Sequence, residues 1–179
     1  MSGLRMLDLF AGRGGASRAM VDRGWDVTRV ELDERFPAEH RDIRTYHPTP
    51  GAFDLVWASP PCTEFTKTDL PWSRATAPAP SMDLLHEALR VIREAMPRWW
   101  VIENVRGAQP WFLPVLGRSF IRCGPVYLWG APPFALWPRV GPYKEAIGGG
   151  KSRAALRSQI PYEVSRALAV ACELEAEAA

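Results

Sequence analysis

Cys62 ends the stretch Ser59-Pro60-Pro61-Cys62, directly after the apolar run Phe53-Asp54-Leu55-Val56-Trp57-Ala58. A short buried-strand pattern that meets two prolines leaves its ladder on a stiff path, because each proline fixes φ and lacks an N–H. The thiol is thereby delivered to the carboxyl edge of a parallel sheet, where open α/β folds keep their ligands. Once ionised it is a candidate nucleophile; the competing use of a lone cysteine is as a small core hydrophobe. Glu103-Asn104-Val105 closes another apolar run, Trp99 to Ile102. A carboxyl there is a candidate proton donor where burial raises its pKa, and a salt-bridged structural carboxylate otherwise. The third cluster is Asp8-Leu9-Phe10-Ala11-Gly12-Arg13-Gly14-Gly15. Glycines at a strand-to-helix turn let backbone approach a ligand closely, and the helix start offers unpaired N–H donors. The spacing is not G-x-G-x-x-G, which argues against a nicotinamide dinucleotide. Glu31, at the end of the next strand, is placed to hold a ribose through its two hydroxyls. Together these residues suggest a nucleoside-bearing cofactor over the sheet edge.

The elements that must position them follow from period and punctuation. Leu4 to Phe10 reads as a first strand, and a helix runs from the glycine turn to about Arg23, stopped by Gly24. Asp26 to Leu32 is a second strand, a short third lies near Arg41 to Arg44, and Phe53 to Ala58 is the fourth. Lys67 to Pro80, with prolines, small residues and no apolar period, reads as a long exposed loop of the kind that serves as a lid. Met82 to Ala95 places Leu84, Leu85, Ala88, Leu89, Ile92 and Ala95 on one face and is an amphipathic helix ended by Pro97. Trp99 to Ile102 is the fifth strand. Strands alternating with helices predict a Rossmann-like, mainly parallel, doubly wound α/β sheet. Strands four and five should then be neighbours, with Cys62 and Glu103 in one cleft. Between about 107 and 160 the chain reads as irregular, dense in Pro, Gly and Trp, with one strand at Val126 to Trp129. A last helix starts at Pro161 and runs to about 175, with Val164, Leu168, Ala171 and Cys172 on one stripe.

At 179 residues the expectation is one domain spanning 1–179, and 47% hydrophobic with 23% charged residues is ordinary for a globular chain. No apolar run is long enough to span a bilayer, the N-terminus lacks a signal-peptide pattern, and three widely spaced cysteines cannot all pair. A reducing, cytoplasmic setting is the expectation. A net charge of +2 permits nucleic-acid binding without demanding it. Arg139, Lys144, Lys151, Arg153 and Arg157 gather among glycines and prolines, as exposed loop charge or as a phosphate-contacting surface. His40, His47 and His86 share no ligand spacing with a cysteine, so no metal site is expected. Trp72 and Trp111 are the tryptophans to test for stacking on a base.

A thiol and a carboxyl sharing a cleft have a chemical logic on a pyrimidine. Cytosine C5 does not take a methyl group directly; a thiolate adding at C6 while an acid protonates N3 turns C5 into an enamine carbon nucleophile. The order Asp8-Leu-Phe-Ala-Gly-x-Gly-Gly15, then Pro60-Pro61-Cys62, then Glu103-Asn104-Val105, resembles the DNA cytosine-5 methyltransferases over about the first 110 residues. The resemblance implies that Asp8, Phe10, Ala11, Gly12, Gly14 and Gly15 frame S-adenosylmethionine. It implies further that Glu31 binds the ribose and Asp42 the adenine edge, with Leu32, Ser59 and Pro60 completing that site. Cys62 would be the nucleophile and Glu103 the acid at N3, with Pro61 and Asn104 on the substrate side. The loop after Cys62 would close over a flipped-out base. DNA would be the partner and S-adenosylhomocysteine the product.

The sequence departs from that family after Pro-Pro-Cys and in its far half. Thr63 follows Pro-Pro-Cys where Gln is usual. The family's Gln-x-Arg-x-Arg element, whose arginine holds the base, is not visible; Arg118, Arg122 and Arg139 are all stand-ins. There is no room for a large target-recognition domain, so loose recognition, or a protein partner that reads sequence, is expected. Gln159-Ile160-Pro161 resembles only loosely the family's closing motif, which returns the chain to the cofactor side. The short form is similar to enzymes of phages and prophages, implying a bacterial host and roles in restriction–modification. The same chemistry on a nucleotide or RNA, and a non-catalytic S-adenosylmethionine-binding subunit, remain alternatives. Amino-group methylation is disfavoured, because it needs a polar Pro-Pro-Tyr-type site and no thiol.

Overall fold

The computed structural model describes residues 3–139 and 159–179. Seven strands form one sheet: β1 (Arg5–Leu9), β2 (Asp26–Glu31), β3 (Glu39–His40), β4 (Leu55–Ala58), β5 (Trp99–Asn104), β6 (Ile121–Cys123) and β7 (Val126–Ala131), in the order β3-β2-β1-β4-β5-β7-β6. The first five in that order run parallel; β7 and β6 are added antiparallel at the edge. From β1 the chain steps outward to β2 and β3, then returns to lay β4 on the other side of β1. The carboxyl ends of β1 and β4 therefore flank a topological switch point, where such sheets open a crevice.

Both faces of the central strands are covered, which is why they read as continuous apolar runs rather than alternating ones. Leu7, Leu9, Val56, Ala58 and Ile102 face one layer, built by α2 (Thr63–Asp69), α3 (Asp83–Ala95) and α4 (Gln109–Leu116). Met6, Leu55, Trp57, Trp99 and Val101 face the other, built by α1 (Arg18–Asp22) and α5 (Tyr162–Glu177). The α3 period holds as expected, with Leu85, Ala88, Val91, Ile92 and Ala95 buried, and the helix ends where Met96 turns left-handed before Pro97. The last helix docks on α1 through Ser165, whose hydroxyl donates to Ala16 O (2.6 Å) and accepts from Ala19 N–H (3.1 Å). Glu173 completes the joint by pairing with Arg23 and accepting from Trp25 Nε1 (2.9 Å).

Several elements differ from the sequence reading, each for a local reason. The first helix starts only at Arg18, because Gly12 and Gly14 take φ of +49° and +73°, which no α-helix accommodates. The third strand lies at Glu39–His40, not 41–44, since Asp42 accepts from Arg44 N–H (2.9 Å) and caps a 3₁₀ turn over Ile43–Thr45. Residues 67–69 of the expected loop belong to α2, which begins directly after Cys62. The prolines in Gln109–Leu116 hide a helix: Pro110 falls in the first turn, where the missing N–H costs nothing. Pro114 forfeits one bond, offset by Phe112, which is fully buried edge-on between Phe65 and Trp129 (centroids 5.2 and 5.0 Å). The strand at 126–129 is present, extended to Ala131 and paired with the unforeseen β6.

Candidate active site

The crevice above β1 and β4 is a cleft of about 870 Å³. Its floor is the turn after β1, lined by Asp8, Phe10, Ala11, Gly12 and Gly15. Phe10 itself sits at φ 58°, a left-handed conformation that bulky residues avoid at a cost of about 1–2 kcal/mol, and such strain collects at ligand sites. Ser59, Pro60, Pro61 and Cys62 form one wall and Glu103 with Val105 the next. Cys62 and Glu103 thus open into the same space, as β4 and β5 pair in parallel register with Ala58 opposite Ile102.

The proline path is fixed from below. Asn104, expected on the substrate side, is fully buried: its amide donates to Pro60 O (2.9 Å) and accepts from Val105 N–H (2.9 Å). It ties the end of β5 to the loop that carries Cys62. Behind that loop, Gly107 lies so close to α2 that a Cβ there would stand 2.1 Å from Phe65 O and 2.9 Å from its carbonyl carbon. Gly107→Ala must push α2 off the 3₁₀ turn over Arg106–Ala108, a backbone clash worth about 1–3 kcal/mol, or roughly 3–10 °C in Tm for a chain of this size. Thermal unfolding followed by circular dichroism checks this; an unchanged Tm would refute the packing.

Electrostatics separates the two candidate groups, Cys62 and Glu103. Burial lifts Glu103 to about 7, opposed by a hydrogen bond from Ser59, whose hydroxyl oxygen is itself held by Trp57 Nε1 (2.8 Å). The Cys62 thiol is pushed up by burial and by the neighbouring Glu103 charge, with its own backbone and Thr66 pulling the other way. The other two cysteines, Cys123 and Cys172, are buried in the core, and burial pushes both thiols up.

Asp8 is 1% exposed, yet its Oδ2 has no hydrogen-bond partner among the described residues. Burial raises its carboxyl to about 6 and the Glu31 charge adds to this; hydrogen bonding to Ser17 and the Arg29 charge oppose it. Because the folded pKa lies above the ordinary 3.8, the unfolded chain releases this proton first, so stability falls as pH rises from about 4 through 6. Asp8→Asn should remove that loss. It should match wild type near pH 4 and unfold up to about 3 kcal/mol harder near pH 8, measured by urea titration without ligand.

Glu31 lines the cleft, and its two oxygens accept from Gly12 N–H (2.9 Å), Leu32 N–H (2.9 Å) and Asp33 N–H (3.1 Å). It also borders an adjoining cavity of about 330 Å³, where Asp42 and exposed Leu32 lie with Ile43, Phe10 and Pro61. Gly14 is outside both cavities, beneath the Arg29 guanidinium. Gln159 and Ile160 do reach the cleft, and a Cβ on Gly15 would stand only 3.0 Å from Ile160 N. The loose closing motif therefore returns the chain to the glycine turn.

The three candidate arginines for the base do not line either cavity. Arg118 and Arg139 are exposed away from both cavities, and Arg122 donates to Gly124 O (2.9 Å) beside the Tyr127 ring. Lys144, Lys151, Arg153 and Arg157 lie outside the described residues. Trp72 is exposed but lines neither cavity, and Trp111 packs on the core. The sequence reading missed Arg13, Arg35 and Phe36, and Pro125 with Val126 from the β6–β7 hairpin, all of which line the cleft. Arg13 was legible within the glycine motif; Pro125 and Val126 needed the tertiary fold. Among the described residues no three metal-ligating side chains converge, and no helix is long and apolar enough to cross a membrane.

The family model described as C-5 cytosine-specific DNA methylase matches residues 4–110, the stretch that supplies the glycine turn, Cys62 and Glu103. The chain belongs to this family. A probable DNA (cytosine-5)-methyltransferase of Frog virus 3 is 31% identical over 116 residues, covering 56% of this chain and 53% of the viral protein. The type II methyltransferase M.SacI of Streptomyces achromogenes is 40% identical over 112 residues, covering 54% of this chain and 28% of that enzyme. This methylase chain thus spans about half the length of one curated relative and about a quarter of the other. The methyltransferase EhMeth of Entamoeba histolytica superposes with a TM-score of 0.50 at 12% identity, covering 82% of this chain and 60% of that one, which shows the shared fold.

Proposed function

We propose that this cytosine-5 methylase methylates cytosine C5 in DNA, with S-adenosylmethionine as donor, Cys62 as nucleophile and Glu103 as acid. The observation that carries the reading is one cleft holding a thiol, a carboxyl lifted to about 7 by burial, and a glycine turn. The residues fit the donor. The glycine turn with Phe10, Ala11, Gly12 and Gly15 lines the cleft, and Glu31 links it to an apolar side cavity suited to a purine ring. When bound, S-adenosylmethionine supplies an electrophilic methyl group.

The chain's own residues do the rest. The Cys62 thiolate forms a bond to C6 while Glu103 gives its proton to N3, and the C5=C6 electron pair becomes available at C5. After C5 has gained the methyl carbon it loses its proton to a base, the C6–sulfur bond breaks, and N3 returns its proton to Glu103. Cys62 leaves as thiolate, so the step balances without an oxidant or reductant. Pro60, Pro61 and Asn104 hold the sulfur in place throughout.

Tritiated methyl transfer to plasmid DNA, followed by digestion to nucleosides, tests the reading. Label in 5-methylcytosine, with competition by plasmid rather than by deoxycytidine monophosphate or RNA, supports it. Competition by the nucleotide or by RNA moves the substrate. Donor binding with no transfer to any of the three leaves a binding subunit instead.

A further inference from the structure

Ser59 lines the cleft with Cys62, yet its hydroxyl has no part in the chemistry above. Its backbone N–H still bonds Leu9 O (3.2 Å), so the ladder with β1 continues one residue past β4. In the β4–β5 register Trp57 lies opposite Val101 and Ala58 opposite Ile102, which brings Ser59 level with Glu103. Side chains two residues apart share a sheet face, so Trp57, Ser59 and Glu103 stand on one side. Two hydrogen bonds join them. The indole Nε1 of fully buried Trp57, which can only donate, is 2.8 Å from Ser59 Oγ, and the Ser59 hydroxyl reaches the Glu103 carboxyl. The cleft's other titratable side chains are Cys62, whose thiol feels the Glu103 charge, and Asp8, Arg13, Glu31 and Arg35. None of these hydrogen-bonds Glu103 among the described residues.

We infer that Ser59, locked by Trp57, is a positioning residue: it donates to one oxygen of the Glu103 carboxyl, so that the acid proton sits on the other oxygen, toward the cleft. The role rests on the reading of Glu103 as the acid at N3. A hydroxyl carries one hydrogen and two lone pairs, and a carboxylic acid can both donate and accept. Left to rotate, Ser59 could take the Glu103 proton itself and hold it away from the cleft. The indole N–H fills one lone pair and polarises the hydroxyl, which favours donation by Ser59. The Glu103 oxygen that accepts is then the carbonyl oxygen, and the proton is left for N3. The hydroxyl that the family resemblance gives to the donor site serves the acid instead.

The pH profile of kcat/KM for plasmid DNA, with S-adenosylmethionine saturating, tests this in wild type, Ser59→Ala, Ser59→Thr and Trp57→Phe. The Ser59 bond pulls the Glu103 carboxyl down, so its loss should move the wild-type break near 7 to higher pH. A higher carboxyl pKa by itself enriches the thiolate–acid pair and raises the plateau above the break. Loss of aim acts the other way. The Ser59→Ala plateau should fall roughly 10-fold, part of what a positioned acid contributes. Ser59→Thr, which keeps the hydroxyl, should recover most of both effects, and Trp57→Phe should show both in smaller measure. In a Glu103→Gln background Ser59→Ala should change the rate by less than about twofold, and in either background donor affinity by calorimetry should stay within the same limit. Ser59→Ala also strands a buried indole N–H and should lower Tm; adding Trp57→Phe removes the stranded donor and should regain Tm but not rate. A break that stays near 7, a plateau that rises with it, or a rate loss that follows weakened donor binding overturns the positioning role while Glu103 stands as the acid. A wild type with no such break overturns both.

Discussion

Cys62→Ala will abolish methyl transfer, a loss on the order of 10⁴-fold or more, the scale expected when a covalent nucleophile is removed. The same variant will no longer form a denaturation-resistant complex with DNA containing 5-fluorocytosine, where fluorine at C5 blocks release of the enzyme. The fold gives reasons to expect a clean experiment. Cys62 stands at the start of α2 but makes no side-chain capping bond there; Thr66 N–H and Oγ1 bind its backbone carbonyl at 2.9 and 3.0 Å, which alanine retains. Only one sulfur leaves a partly buried position, so stability should change by no more than about 1 kcal/mol. Cys62→Ser keeps the size of the group, but a hydroxyl beside Glu103 is far harder to ionise than a thiol, so it should fail as completely. Transfer at the wild-type rate by either variant removes Cys62 from the chemistry.

Much of this was legible in the chain because the proposed reacting groups sit at or just past the ends of strands. Leu55 to Ala58 and Trp99 to Ile102 are apolar on both faces, as a covered parallel sheet requires, and each leads into a residue capable of chemistry. Neighbouring placement of those strands then puts Cys62 and Glu103 in one cleft without further information. What could not be read is what depends on tertiary context. Asn104 looks like a ligand residue in sequence, but as the last residue of a buried strand its amide is consumed by Pro60 O and Val105 N–H. The glycine turn resembles a helix start, yet only the positive φ at Gly12 and Gly14 shows that the helix begins several residues later. The short helix after Cys62 carries weak signals: acid at Glu64 in its first turn, base at Lys67 in its last, and one buried residue, Phe65. Pro110 and Pro114 hid α4 because proline counts as a breaker unless its position within the helix is known. For the arginine that holds the base, the sequence left Arg118, Arg122 and Arg139 open; among the described residues the arginines that line the cleft are Arg13 and Arg35.

Glu103→Gln should cost roughly 10²- to 10⁴-fold in kcat/KM for DNA, the usual worth of a positioned general acid, and should also change the shape of the pH profile. With donor saturating, the Cys62–Glu103 pair of the wild type can hold two protons, one or none. The competent form, thiolate with carboxylic acid, contains one proton and so has the same charge as thiol with carboxylate. Loss of the first proton is governed by the carboxyl lifted to about 7, and loss of the second by a thiol pushed above its ordinary value. Wild-type kcat/KM must therefore rise as pH passes through about 7 and then level off, falling again only where the thiol has lost its proton as well. Glutamine has no proton to lose, so the break near 7 disappears and the residual rate climbs with thiol ionisation alone. That ionisation comes at lower pH than in wild type, because the Glu103 charge that opposes the thiolate is gone. Thiol alkylation by iodoacetamide across the same pH range reads this shift without any DNA present. A wild-type profile flat between about pH 5.5 and 8, or a Glu103→Gln variant that keeps its break near 7, would separate Glu103 from the proton at N3.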